Sequence, residues 1–102
     1  MASKDDNLAS LGEAILGLQS SREVEKFLQD LLTTQELLEM ENRWQAAQQL
    51  AREVPYSVIE KETGLSSTTI ARVSKWLRNG SGGYRIVLER LGMLNKVEKC
   101  NS

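Results

Sequence analysis

The residues with the most chemistry to offer lie in one run, Tyr56 to Arg78. Ser66, Ser67, Thr68 and Thr69 are consecutive hydroxyls, and Arg72, Lys75 and Arg78 follow at steps of three. Small hydroxyl side chains at a helix start can approach closely and hydrogen-bond phosphates or base edges. The free backbone N–H groups of a helix N-terminus favour phosphate in the same place. Cations farther down the helix add phosphate contacts. The chemistry on offer is therefore recognition of a nucleic acid. Catalysis has no comparable support. The chain has no His for general acid–base work, and neither a Ser–His nor a Cys–His pair can be assembled. Gly80-Ser81-Gly82-Gly83 lacks the Lys-Ser/Thr of a phosphate loop and follows no strand, so it reads as a flexible hinge. No enzyme is expected.

Such residues need a short helix, a sharp turn and a second helix presented outward. Pro55 suits the first turn of a helix, and Tyr56–Thr63 is the short segment after it. Gly64 supplies the left-handed stop, and Ser66 caps a helix running to Arg78. Ile59, Leu65, Ile70 and Val73 fall at the spacings that pack two such helices together. A helix-turn-helix over residues 55–78 is predicted.

The rest of the chain is helical by period. Leu8, Leu11, Ile15 and Leu18 share one face. Ser20 or Ser21 caps a second stripe of Val24, Phe27, Leu28, Leu31 and Leu32. Thr33 or Thr34, with Glu36 in the first turn, starts a long helix reaching about Arg52. Its apolar arc (Leu37, Leu38, Met40, Trp44, Ala46, Ala47, Leu50, Ala51) is broad enough to meet partners on two sides, with Trp44 as a core or dimer anchor. A last helix is predicted over 84–94 and a frayed polar tail over 95–102. The fold class is all-α. The organisation is a single domain over 1–102, with 1–52 as dimerisation helices.

A chain of 102 residues with 40% hydrophobic content forms a marginal core alone. The single cysteine, Cys100, excludes an internal disulfide and is read as a tolerated thiol. Without His, a zinc site lacks ligands, so no metal is expected. Oligomerisation is the remaining aid. The N-terminus is no signal peptide and no run of about 18 apolar residues exists, so a cytoplasmic protein with no membrane association is expected. The net charge is −1, but it is unevenly placed. Residues 1–51 carry four bases against nine acids, whereas residues 52–90 carry seven bases against four. That asymmetry points to a polyanion-facing surface in the second half.

Thr33 to Leu77 resembles the tryptophan repressor family. The shared pattern is an acidic-capped long helix followed by PYSVIEKETGLSSTTIARVSKWL. The next segment, NGSGGYRIVLERLG, is similar to the Trp-repressor-like branch of Gram-positive bacteria. The resemblance implies an intertwined homodimer in which the N-terminal helices and the last helix interlock between subunits. It implies DNA contacts at Ser57 and Glu60 of the first helix and at Ser67, Thr68 and Ala71 of the second. Glu60 is the unusual member, an acid that either repels phosphate or pairs with a neighbouring base.

The resemblance also places Thr33, Arg43, Thr69 and Arg72 at positions that line the family's tryptophan pocket. Arginine suits both stacking on an indole and holding a carboxylate. Val73, however, stands where the family has a Gly that leaves room for ligand, and Trp76 where it has a small Ser. Both changes fill the pocket. The expectation is double-stranded DNA binding by a homodimer without a cofactor, with L-tryptophan or another small effector left open. The function expected is a transcriptional repressor reading a near-palindrome. The alternatives are a helical protein-interaction module or the DNA-binding module of a transposition or replication system.

Overall fold

The computed structural model describes residues 4–94. Cys100 and the predicted tail over 95–102 lie outside them. Among the described residues six helices follow one another: α1 (Lys4–Leu16), α2 (Ser21–Leu31), α3 (Thr34–Ala51), α4 (Tyr56–Thr63), α5 (Ser67–Asn79) and α6 (Gly83–Arg90). The contacts of the chain group into two units, Met1–Leu37 and Leu38–Ser102.

In the first unit, boundaries follow capping chemistry. Ser20 Oγ accepts from the Glu23 N–H at 3.2 Å, while Glu23 Oε1 accepts from the Gln19 N–H at 2.8 Å. Thr33 and Glu36 form a reciprocal capping box at the start of α3, with bonds of 2.9 and 3.1 Å. Each such cap removes an orphan donor and contributes about 1 kcal/mol. No side chain described between Leu8 and Leu37 is buried. The stripe Val24, Phe27, Leu28 and Leu31 is the sharpest apolar face here, yet Val24 and Leu31 stay exposed.

The second unit holds the core. Ala46 and Ala47 of α3, Ile59 of α4, and Ile70 and Val73 of α5 are fully buried, with Trp44, Leu50, Val54, Leu65 and Tyr84 packed against them. Helices α4 and α5 pack on each other, and α5 packs on α6. The two alanines on α3 matter because they let other elements approach its backbone closely.

Two helix ends in this unit use the same device. At the end of α3 the Val54 N–H donates to Gln49 O at 3.0 Å and the Glu53 N–H to Leu50 O at 3.0 Å. At the end of α6 the Met93 N–H donates to Leu88 O at 2.8 Å and the Gly92 N–H to Glu89 O at 3.0 Å. Both patterns satisfy carbonyls that the helix leaves open, and both need a left-handed residue. Gly92 (φ 74°) takes it without strain, but at the first site the residue is Glu53, with φ 62°. The stop at Gly92 also corrects the predicted extent of the last helix: it ends at Arg90, not Leu94.

Candidate nucleic-acid interface

The predicted helix-turn-helix is present as α4, a turn over 64–66, and α5. Gly64 sits at φ 77°, and its N–H donates to Glu60 O at 2.9 Å, which closes α4. The turn has a brace that sequence reasoning missed. Buried Thr63 donates its hydroxyl to Ile59 O at 2.7 Å, and the same oxygen accepts the Leu65 N–H at 3.2 Å. Ser66 then caps α5, accepting from the Thr69 N–H at 3.2 Å, with the Thr69 hydroxyl 3.1 Å away. Two of the four consecutive hydroxyls are thereby engaged in local structure. The other two, Ser67 and Thr68, are exposed.

Helix α5 divides cleanly. Ile70, Val73, Ser74 and Leu77 are buried. Ala71, Arg72, Lys75 and Arg78 face solvent with Ser67 and Thr68. On α4, Ser57 is exposed and Glu60 half-buried, and both line an open depression with Val58 and Lys61. The DNA-facing residues expected from sequence thus occupy the surface of α4 and α5, and Lys61 brings a cation beside Glu60.

The residues expected at the family's pocket are Thr33, Arg43, Thr69, Arg72, Val73 and Trp76. Thr33 belongs to the first unit, where its hydroxyl accepts from the Glu36 N–H. Val73 is at 0% exposure in the core, while Arg72 is exposed on α5. Arg43 of α3 lies over the face of Trp76, 5.9 Å from the ring centroid. That is cation–π range. The Arg43 Nε is buried without a hydrogen-bond partner among the described residues, and Trp76 keeps 43% of its surface exposed. Tyr84 of α6 is drawn into the same corner. Burial pushes its hydroxyl pKa above the ordinary value, and the Arg43 charge partly opposes that rise.

Residues 6–92 match the family model for Trp repressor protein. The chain belongs to the Trp repressor family. Family members are helix-turn-helix DNA-binding regulators, and the resemblance read from the sequence is confirmed. Among relatives, the uncharacterized protein YerC of Bacillus subtilis (strain 168) is 36% identical over 84 residues, covering 82% of this chain and 81% of that protein. A TrpR-like protein from Eubacterium eligens ATCC 27750 has a similar solved structure. Its TM-score is 0.81 at 38% identity, over 90% of this chain and 95% of that one. A candidate Trp repressor from Staphylococcus aureus superimposes with a TM-score of 0.79 at 31% identity, over 90% and 97% of the two chains.

Beside the Thr63 brace, two further features escaped the sequence. Tyr84 is one of several apolar-looking positions on α6, and nothing in its spacing marks it as a neighbour of Arg43. Gly80 is not the open hinge that its Gly-rich setting suggests. Its N–H donates to Trp76 O at 2.8 Å, and a Cβ at Gly80 would fall 2.5 Å from that oxygen. The glycine is there for close approach to the end of α5.

Proposed function

We propose that this protein is a homodimeric, sequence-specific DNA-binding repressor that reads a near-palindromic operator without needing L-tryptophan. The observation that carries the DNA reading is the division of α5. Its inner face anchors in the core, and its outer face offers Ser67, Thr68, Ala71, Arg72, Lys75 and Arg78 together. Thr68 and Ala71, with Ser57 and Glu60 of α4, meet base edges, while Arg72, Lys75 and Arg78 hold phosphates.

Dimerisation is supported by apolar surface that a lone chain leaves in water. Leu8, Ile15, Leu16, Leu31, Leu38 and Met40 are exposed in the N-terminal half, as are Ile86, Val87 and Leu91 on and after α6. So many large exposed apolar side chains mark an interface. The single-domain organisation, with residues 1–52 serving dimerisation, belongs to this reading. A two-fold dimer sets two recognition helices about one DNA turn apart, hence the near-palindrome. Independence from tryptophan is supported by Val73, which fills core space, and by Trp76, whose ring already lies beneath Arg43.

The test is affinity selection from a random duplex library, with and without L-tryptophan. A near-palindrome enriched in both conditions supports the whole reading. Enrichment with tryptophan alone retains the DNA reader and sinks its independence. No enrichment in either condition rejects sequence-specific DNA binding by the protein alone.

A further inference from the structure

Trp76 lies outside the buried face of α5, one turn beyond Arg72 on the same flank. Its nearly half-exposed ring is nevertheless held by a side chain from another helix, Arg43 of α3. The middle of the buried face is small: Val73 and Ser74. A contact on the flank, at a larger radius, controls roll. The backbone at Trp76 is also held from its C-terminal side, where Gly80 closes on the Trp76 carbonyl with no space for a Cβ.

Resting on the DNA-binding reading above, we propose that the Arg43–Trp76 stack is a positioning contact that fixes the roll of α5. It thereby sets the direction in which Thr68 and Arg72 face DNA. Neither Arg43 nor Trp76 needs to touch the operator. The guanidinium suits the task because it is planar, always charged and weakly hydrated, so it can lie on an indole. With its Nε unpartnered, Arg43 is oriented by this ring and by packing rather than by a hydrogen bond through that atom.

The test uses the whole 102-residue chain with Trp76→Leu, Trp76→Phe, Arg43→Met and the Arg43→Met/Trp76→Leu double variant. Three quantities are measured: affinity for the selected operator, affinity for unrelated duplex, and amide hydrogen exchange along α5 without DNA. Trp76→Leu and Arg43→Met are each expected to weaken operator binding about tenfold, the scale of one such stack in each subunit. The double variant should bind little worse than either single one, because both remove the same interaction. Trp76→Phe should retain most of the affinity. Binding of unrelated duplex by Trp76→Leu should stay within about twofold, since no charge changes. Exchange should quicken in the last two turns of α5 and not in α4. Additive effects in the double variant, unchanged operator affinity, or unchanged α5 exchange in folded variants would overturn the proposal. Should Trp76→Leu not fold, Arg43→Met and Trp76→Phe decide the matter by the same readouts. If the wild-type protein selects no operator, the DNA reading fails, and hydrogen exchange alone still decides whether the stack holds α5.

Discussion

The guanidinium of Arg43 stands 5.9 Å from the centre of the Trp76 ring, so α3 already holds an indole that α5 supplies. Val73 is fully buried in one core cluster with Ile70 and Ala47, so it offers a free amino acid no exposed surface. Calorimetric titration with L-tryptophan should therefore show no stoichiometric binding at micromolar concentration. Stoichiometric micromolar binding would show that Trp76 swings away and that the corner is a working pocket.

Glu53 is the one non-glycine described in a left-handed conformation, at the position ending α3 where glycine is favoured. Relieving that strain outweighs the added freedom of a glycine in the unfolded chain. Glu53→Gly should stabilise the protein by about 0.5–1 kcal/mol, read as a higher urea midpoint at unchanged slope. A lowered midpoint would mean that the Glu53 side chain makes an interaction worth more than the strain.

Gly80→Ala and Gly83→Ala make a matched pair. A Cβ at 80 would stand 2.5 Å from the Trp76 carbonyl oxygen, whereas one at 83 meets nothing within 4 Å. The first should cost about 1–3 kcal/mol, as overpacking does, because backbone must move. The second adds a better helix former at the first position of α6 and should be neutral or slightly stabilising. Thermal melts of the two side by side test this, and equal effects would count against the close-approach account.

Thr68 and Lys75 should fail differently. Thr68 is exposed in the first turn of α5, where a side chain can reach a base edge, while Lys75 is two turns on. Thr68→Ala should relax preference at one operator position by roughly 1–3 kcal/mol. Lys75→Ala should weaken all duplexes alike and lower the salt slope by about one ion for each phosphate it no longer neutralises. Competition binding at several salt concentrations separates the two, and a sequence-selective Lys75→Ala would reverse the assignment.

Helix periodicity and punctuation were enough to read much of this protein directly from its chain. Leu and Ile at steps of three and four, Ser20, Thr33 and Ser66 as caps, and Gly64 as a stop are local features. They act within one or two turns, so neighbouring residues reveal them. The buried set Ile59, Ile70 and Val73 was legible for the same reason, since one helix face must point inward. The hydroxyl run at 66–69 was legible as a run, but not its division of labour. That Ser66 and Thr69 bond to each other, leaving Ser67 and Thr68 outward, depends on where the cap falls. What only tertiary structure decided involves residues far apart in sequence. Arg43 meets Trp76 across 33 positions, and the Arg43 charge acts on half-buried Tyr84 from 41 positions away. Such pairs leave no period and no spacing rule, because the distance between them is set by how α3, α5 and α6 pack. The strained Glu53 and the close approach of Gly80 are local by contrast, made within five residues at helix ends, yet no residue type announces them. Backbone torsion and free space belong to the folded chain, and the residue letters alone do not encode them.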